Sequence, residues 1–177
     1  MLELILGGAR SGKSRLAERL ARESGLAVTY VATATATAHA GDGEMAARIA
    51  HHRARRPAEW ELVEEPLRLM QVLRDRAAEN RCLLVDCLTL WLTNLLWLDE
   101  GIHLERERDA LLEGIAALPG RILLVGNETG LGVVPLGELT RRYVDEAGWL
   151  HQALAERAQR VTFCVAGLPM ILKGESL

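Results

Sequence analysis

The residues best equipped for chemistry lie near the start of the chain, at positions 7 to 14. Their sequence, Gly-Gly-Ala-Arg-Ser-Gly-Lys-Ser, fits the pattern G-x-x-x-x-G-K-S of loops that cradle phosphate groups. The glycines let the backbone turn tightly, so that its N–H groups can approach phosphate oxygens. Lys13 can reach the β- and γ-phosphates of a nucleotide, and the Ser14 hydroxyl can ligate Mg²⁺. The predicted nucleotide-binding loop comprises Gly7, Gly8, Ala9, Arg10, Ser11, Gly12, Lys13 and Ser14.

The segments on both sides of this loop indicate whether it binds phosphate, because similar glycine patterns also occur in ordinary turns. Residues 2–6 form a short apolar run that is typical of a buried strand. After the loop, Leu16, Ala17, Leu20 and Ala21 recur at helical spacing. Strand, glycine loop and helix follow one another as phosphate binding requires, and the helix N-terminus adds partial positive charge. We therefore expect this loop to bind a nucleotide.

Two carboxylates stand at the ends of apolar runs that are predicted to be strands. Asp86 ends the run that begins at Cys82, and Glu128 stands at the end of the run that begins at Arg121. Open parallel sheets bind ligands at the carboxyl ends of their strands. Asp86 is therefore predicted to hold the water shell of Mg²⁺, although an aspartate after a strand is often only a turn residue. Glu128 is interpreted either as a general base or metal partner, or as a residue that pins the turn.

The segment from Glu44 to Arg55 is predicted to be a helix with an unusual polar stripe. Glu44, Arg48, His51 and Arg55 fall on one side of it, whereas His52 lies about 100° further around the helix. The two guanidiniums could grip phosphates beside His51. A neutral imidazole in that setting can attack a nucleotide α-phosphate and form a phosphoramidate, and the nearby positive charge would lower its pKa. From spacing alone, a solvated helix face is the simpler interpretation.

Strand-like and helix-like segments alternate through the rest of the chain. Further strands are predicted at 27–32, 62–63, 82–86, 121–126 and 161–165, the last before a short tail. Further helices are predicted at 66–80, 88–98 and 104–117, and along the apolar stripe from Leu139 to Ala158. This alternation indicates a mostly parallel sheet covered by helices on both faces. Without a linker or a repeat, we expect one α/β domain over residues 1–177.

Composition excludes several classes of protein. The 177 residues are 49% hydrophobic and 25% charged, which is typical of a globular domain. The net charge of -3 provides no general field for nucleic acid, and no apolar run is long enough for a membrane span. Because no signal peptide precedes the first strand, we expect a cytoplasmic protein. Cys82, Cys87 and Cys164 form no C-x-x-C pair and are predicted to be buried free thiols.

The remaining histidines and the tryptophans carry weaker signals. Three histidines lie in a loop or in charged helical surroundings and are expected at the surface: His39, His103 and His151. Three tryptophans in apolar segments are interpreted as core or subunit-interface residues: Trp91, Trp97 and Trp149. None of these residues is assigned to chemistry from the sequence.

Several motifs along the chain match one enzyme family. They lie at 7–14, 30–33, 44–53, 56–57, 60, 93–96 and 127–135. On these residues the chain resembles the bifunctional adenosylcobinamide kinase and adenosylcobinamide-phosphate guanylyltransferase family of cobalamin biosynthesis. The stretch E-M-A-A-R-I-x-H-H-x is far more specific than the phosphate loop, which many unrelated proteins share. The resemblance runs nearly from end to end.

The resemblance implies two consecutive reactions on a corrinoid substrate. ATP or GTP phosphorylates the aminopropanol hydroxyl of adenosylcobinamide, and GTP then donates GMP to that phosphate, giving adenosylcobinamide-GDP and pyrophosphate. The family passes GMP through a covalent histidine, which matches the first of the histidine pair, His51. The resemblance also implies a P-loop, RecA-like sheet and a homotrimer.

The assignment of residues that follows combines the patterns with the resemblance. Catalysis is assigned to three residues: Lys13, His51 and Glu128. Nucleotide binding is assigned to the loop at 7–14 and to three further residues: Thr33, Arg48 and Arg55. Metal binding, with Mg²⁺ as the cofactor, is assigned to Ser14 and Asp86.

Two other functions remain compatible with the phosphate loop. The first is a small-molecule kinase that lacks guanylyl transfer, and pyrophosphate release from GTP would distinguish it from the bifunctional enzyme. The second is an assembly protein whose contacts are gated by nucleotide, which would change its mass with nucleotide and do no chemistry on a corrinoid.

Overall fold

The computed structural model describes residues 1–34, 57–97 and 101–175. These residues include seven strands and five α-helices. The strands are β1 (Leu2–Gly7), β2 (Ala27–Ala32), β3 (Glu61–Glu64), β4 (Arg81–Asp86), β5 (Arg121–Asn127), β6 (Arg160–Val165) and β7 (Leu168–Lys173). The helices are α1 (Lys13–Glu23), α2 (Leu69–Arg76), α3 (Leu88–Trp97), α4 (Leu104–Gly114) and α5 (Glu138–Arg157), with a short 3₁₀ turn at Ile115–Ala117.

The strands form one sheet in the order β3-β2-β4-β5-β1-β6-β7. Every neighbouring pair is parallel except β6 and β7, which are antiparallel. The phosphate loop follows β1, which pairs with β5 on one side and with β6 on the other. The carboxyl ends of β1, β4 and β5 therefore lie along the same edge of the sheet, where ligands of open α/β folds bind.

The central strands are buried on both faces, as their continuous apolar sequences predict. Ile5, Leu84 and Val125 belong to a core cluster that includes the apolar side of α1. Their sequence neighbours face the opposite way and pack with residues of α2, α3, α4 and α5. Trp91, on α3, is fully buried in that second cluster. The predicted α/β architecture, with helices on both faces of a mostly parallel sheet, is confirmed.

A buried ion network lies within the apolar first strand. Glu3 is 1% exposed, and its carboxylate accepts from Arg121 Nε at 2.7 Å and from Arg160 Nη1 at 3.1 Å. Arg121 begins β5 and Arg160 begins β6, the two strands that flank β1. One carboxylate thus joins three neighbouring strands, far from the edge of the sheet that carries the phosphate loop.

The chain differs from the sequence-based prediction at its C-terminal end. Residues after 165 were predicted to be a tail, but Leu168–Lys173 forms β7 and pairs with β6. The turn between these strands contains Ala166 at φ 52 and Gly167 at φ 82, both left-handed. Residues 168–172 are all apolar, but Pro169 argues against a central strand. Proline is tolerated here because β7 lies at the edge of the sheet.

Two other expectations meet the structure differently. The helix predicted at 66–80 is shorter, because Leu69–Arg76 alone is helical and Ala77 is extended. The Glu65 side chain accepts from the N–H groups of Leu67 and Arg68 at 2.8 Å each, which holds the chain in a turn there. The helix predicted from Glu44 to Arg55 lies outside the described residues.

Surface features complete the fold. Trp97 and Trp149 are 48% and 59% exposed, so neither lies in the core. Their interpretation as interface residues stays a prediction. Of the helices that the structure describes, none is both long and apolar enough to cross a membrane.

Candidate active site

The phosphate loop joins the end of β1 to the start of α1. Gly7 is the last residue of β1, and a Cβ built there would lie 2.6 Å from the carbonyl oxygen of Cys164 and 2.6 Å from Ser11 Oγ. Gly12 precedes the helix with φ 97, in the left-handed region that favours glycine. Both glycines of the pattern are therefore required, Gly7 by space and by its φ of 155°, and Gly12 by backbone conformation.

Lys13 is held over this loop in a buried position. It is 8% exposed, and its Nζ donates to the carbonyl oxygen of Gly8 at 2.9 Å. Burial lowers the pKa of Lys13, while the neighbouring Cys87, Asp86 and Cys164 act in the opposite direction. A buried ammonium gains most from a nearby anion, because both its desolvation and its charge are then compensated. The loop is thus suited to receive a phosphate.

The turn between β6 and β7 supports the loop from outside. The N–H of Gly167 donates to the carbonyl oxygen of Ser11 at 2.9 Å, and a Cβ at Gly12 would lie 3.0 Å from the Cα of Gly167. Ala9 and Arg10 are exposed at the tip of the loop. The Ser11 hydroxyl is buried and has no hydrogen-bond partner among the described residues. The turn that leads into β7, the strand that was not predicted, therefore contacts the phosphate loop.

Asp86 lies at the end of β4, on the same edge of the sheet as the loop. Its Oδ2 accepts from the hydroxyl of Tyr30 at 3.1 Å. Its other oxygen makes no hydrogen bond to any residue within 1–34, 57–97 or 101–175. Ser14, in the first turn of α1, is half-buried. A carboxylate oxygen and a hydroxyl are the hard donors that Mg²⁺ prefers, so the residues present fit the ion.

Glu128 follows β5 and is joined to the start of the phosphate loop. Its N–H donates to the carbonyl oxygen of Gly7 at 3.0 Å, and its Oε1 accepts from the N–H of Gly130 at 2.6 Å. Its Oε2 lies 3.8 Å from His151 Nδ1. The carboxylate therefore does pin a turn, as one of the two interpretations holds. Its second oxygen faces a histidine, which leaves a chemical role open.

His151 corrects an expectation, because it is not at the surface. It is 7% exposed on α5, and burial lowers its pKa, with Glu128 acting in the opposite direction. A sequence signal for this was present: His151 follows Ala147 by four residues and precedes Leu154 by three, on the buried side of the helix. Gly126 makes room for the ring, since a Cβ there would lie 2.9 Å from His151 Nε2.

The sequence comparisons decide the family. The protein-family model described as cobinamide kinase / cobinamide phosphate guanyltransferase matches residues 3–172 of the chain. The chain belongs to this family. A bifunctional adenosylcobalamin biosynthesis protein of Pseudomonas aeruginosa, CobP, is 73% identical over 177 residues that cover 100% of each chain. One of Escherichia coli, CobU, is 36% identical over 188 residues that cover 98% of this chain and 100% of the relative.

Two solved structures resemble the fold of this family member. The flagellar accessory protein FlaH of Methanocaldococcus jannaschii superposes with a TM-score of 0.50 at 18% identity, covering 98% of this chain and 78% of that chain. A KaiC-like protein of Pyrococcus horikoshii has a TM-score of 0.50 at 16% identity, covering 92% of this chain and 69% of that chain. At these identities the likeness concerns the P-loop NTPase fold alone.

Thr33 was assigned to nucleotide binding, and in this family member its hydroxyl is already engaged. It donates to the carbonyl oxygen of Cys87 at 2.8 Å and accepts from the N–H of Cys87 at 2.9 Å. The buried Asn94 also donates to the carbonyl oxygen of Thr33 at 2.8 Å. These contacts brace the residue after β2 against the turn after β4, beside Asp86. A nucleotide contact from Thr33 stays a prediction.

The structure thus brings part of the predicted site together. The described part of the chain places Lys13, Asp86 and Glu128 along one edge of the sheet, around the loop. His51, Arg48 and Arg55 lie outside the described residues, so their roles stay predictions.

The three cysteines are free and buried, as predicted. Burial raises the pKa of Cys82 and of Cys87 to about 11 each. Such thiols stay protonated at neutral pH and are poor nucleophiles and metal ligands. Within the described ranges, His, Cys, Asp and Glu form no group of three or more that could hold a metal ion.

Proposed function

We infer that this chain is a bifunctional transferase that acts twice on one corrinoid. It phosphorylates the aminopropanol hydroxyl of adenosylcobinamide with ATP or GTP. It then transfers GMP from GTP to that phosphate, which releases pyrophosphate and gives adenosylcobinamide-GDP. The observation that carries this function is the match of the family over residues 3–172, which includes both the phosphate loop and the histidine segment.

For the kinase reaction, the loop holds the triphosphate while the corrinoid hydroxyl attacks the γ-phosphorus. The bond between that phosphorus and the β,γ-bridging oxygen breaks, and the nucleoside diphosphate leaves. Lys13 and the loop N–H groups stabilise the charge that builds on the phosphate oxygens. Glu128, held beside the loop by its bond to Gly7, accepts the proton of the hydroxyl.

Mg²⁺ is the cofactor that we propose for this step. Ser14 would ligate it directly, and Asp86 would hold its water molecules. When bound, the ion neutralises charge on the β- and γ-phosphates. The support is the oxygen chemistry of the two side chains and the location of Asp86 at the end of β4.

For the guanylyl transfer, we propose that His51 is the intermediate carrier of GMP. A ring nitrogen of His51 attacks the α-phosphorus of GTP, the bond to the β-phosphate oxygen breaks, and pyrophosphate leaves. An oxygen of the corrinoid phosphate then attacks the same phosphorus, and the phosphorus–nitrogen bond breaks. Arg48 and Arg55 would hold the phosphates during both transfer steps.

The covalent step is tested by incubating the protein with GTP labelled at the α-phosphate. We expect label on the protein that is stable in base and lost in acid, as a phosphoramidate is. His51→Ala should abolish it, and the matched control His52→Ala should retain it. Label lost only in His52→Ala would move the role to His52. Wild-type protein that makes adenosylcobinamide-GDP without ever carrying label would eliminate the covalent step.

The two activities are separated by their products. Release of pyrophosphate from GTP in the presence of adenosylcobinamide phosphate belongs to the guanylyl transfer alone. Formation of adenosylcobinamide phosphate from ATP belongs to the kinase alone. A chain that gives only the second product would be a small-molecule kinase, and the bifunctional assignment would be wrong.

We also propose that the active enzyme is a cytoplasmic homotrimer. The exposed apolar residues Leu168, Met170 and Leu172 along β7 support association, because exposed apolar strands at a sheet edge tend to be covered. Three free cysteines support a reducing compartment. Sedimentation equilibrium should give three times the mass of the chain, and a monomer mass at micromolar concentration would contradict the trimer.

A further inference from the structure

Tyr30 makes a contact whose role in the reaction is unassigned. It lies on β2, which pairs with β4 so that Tyr30 is level with Leu84 and Ala32 with Asp86. Side chains two residues apart on a strand point to the same face. The phenol of Tyr30 therefore runs along the sheet, and its hydroxyl reaches Asp86 Oδ2 at 3.1 Å.

The ring of Tyr30 is a rigid support for this contact. Tyr30 is 4% exposed and packs in the core cluster that also contains Leu16 of α1 and Leu84 of β4. A buried aromatic ring has few rotamers available, so the position of its hydroxyl is well defined. In contrast, Asp86 is only half-buried at the edge of the sheet, where its carboxylate would otherwise rotate.

The hydrogen bond distinguishes the two oxygens of Asp86. Oδ2 is occupied by Tyr30, while Oδ1 makes no bond to a residue that the structure describes. Lys13, on the same side of the sheet, is close enough for Asp86 to oppose the lowering of its pKa. The carboxylate therefore keeps one oxygen without a described partner, near the lysine of the phosphate loop.

We propose that Tyr30 is a positioning residue that orients Asp86 for the water shell of the nucleotide-bound Mg²⁺. This inference rests on the metal role proposed above for Asp86. Removal of a side chain that hydrogen-bonds to a metal's ligands typically weakens metal affinity by about 10–100-fold. Because Asp86 acts through water, loss of the Tyr30 hydroxyl should weaken Mg²⁺ affinity by about tenfold, near the lower limit of that range.

The chain supplies a matched control, because its only other tyrosine is Tyr143. Tyr143 is also buried, at 8% exposure, and its hydroxyl lies near Thr89 and Thr129 without a hydrogen bond of normal geometry to either. Tyr30→Phe and Tyr143→Phe each remove one buried hydroxyl and keep the ring. Only the first of them removes a bond to Asp86.

The test is equilibrium binding of a GTP analogue with a methylene group between the α and β phosphorus atoms, which cannot transfer GMP. Affinity is measured over a range of Mg²⁺ concentrations and in EDTA. In Tyr30→Phe, the Mg²⁺ concentration for half-maximal binding should rise about tenfold. Affinity in EDTA should stay within about twofold of wild type, which also shows that the loop is folded. Tyr143→Phe should match wild type in both measurements.

Asp86→Asn and the double variant complete the design. If Tyr30 acts through Asp86, Tyr30→Phe should add nothing to the defect of Asp86→Asn. A normal Mg²⁺ response in Tyr30→Phe, beside a shifted response in Asp86→Asn, would overturn the inference and leave the function intact. Equal shifts in both tyrosine variants would overturn it in favour of a packing effect. A normal response in Asp86→Asn itself would instead remove the proposed metal role of Asp86.

Discussion

The requirement for glycine at position 7 predicts that alanine is harmful at one glycine of the phosphate loop and harmless at its neighbour. Gly7 and Gly8 are adjacent, yet their surroundings differ. A Cβ at Gly7 would lie 2.6 Å from the carbonyl oxygen of Cys164, whereas a Cβ at Gly8 meets nothing within 4 Å. Gly7→Ala should therefore damage the nucleotide site, and Gly8→Ala should leave it nearly intact.

The size of the effect follows from the strand pairing. Ordinary contact begins at 3.4 Å, so the carbonyl oxygen of Cys164 and position 7 would have to separate by about 0.8 Å, the difference between 3.4 and 2.6 Å. Position 7 is paired with Cys164 between β1 and β6, which resists this separation. Overpacking of this kind typically costs about 1–3 kcal/mol of folding free energy. Loss of two loop-to-phosphate hydrogen bonds, each worth about 0.5–1.5 kcal/mol, would lower nucleotide affinity about 5–150-fold.

The assay measures both quantities on both variants. Calorimetric titration with the methylene-bridged GTP analogue gives the affinity, and urea unfolding gives the free energy of unfolding. Gly8→Ala should stay within about threefold of wild type in affinity, which is within about 0.7 kcal/mol. Wild-type affinity in Gly7→Ala would refute the steric argument. Equal losses in the two variants would show that any side chain in the loop is harmful, whatever its contacts.

Other predictions concern the buried charges and the buried histidine. Glu3→Ala should lower the free energy of unfolding by about 3–5 kcal/mol, because it leaves two arginines in the sheet without their carboxylate. Glu61→Ala, the control, removes a 33% exposed carboxylate that also contacts two arginines and should cost below about 1 kcal/mol; similar losses in urea unfolding would contradict the role of burial. Burial lowers the pKa of His151, so the unfolded chain binds its proton more readily. Stability from neutral His151 is therefore present above about pH 6.5 and declines as the pH falls below that value. His151→Gln should flatten this decline in urea unfolding at pH 5 to 8, and an unchanged slope would contradict the assignment.

The sequence was sufficient for the elements whose signal is local. The loop at 7–14 could be recognised because its strand, glycines and helix are contiguous. The central strands could be recognised because strands buried on both faces are apolar throughout. Their common edge then follows from parallel pairing, which is why Asp86 and Glu128 could be placed near the loop before the fold was known.

Features decided by distant partners could not be predicted in this way. β7 is an exposed edge strand, and its register depends on β6 rather than on its own pattern. The start of α2 is moved beyond Pro66 and Leu67, whose carbonyl oxygens accept from Asn94 at 3.2 Å and from Trp91 Nε1 at 2.7 Å. These bonds come from another helix, so local propensity gave the wrong boundary.

The location of catalytic groups and their orientation therefore have different origins in this chain. Location follows from topology, since Asp86 and Glu128 stand at the ends of parallel strands, and Lys13 begins the helix that follows β1 and its loop. Orientation depends on neighbours that carry no motif. The Tyr30 hydroxyl holds Asp86 from the adjacent strand, and the ring of His151 faces Glu128 only because Gly126 leaves space for it. A Cβ at Gly126 would also lie 3.1 Å from Leu6 Cδ2, a looser contact than the one with His151. Gly126→Ala should accordingly displace His151 and disturb Glu128 more than it disturbs the loop, which would lower the kinase rate more than the nucleotide affinity. Equal losses in the two would indicate that Glu128 supports the loop through its bond to Gly7 rather than through its carboxylate.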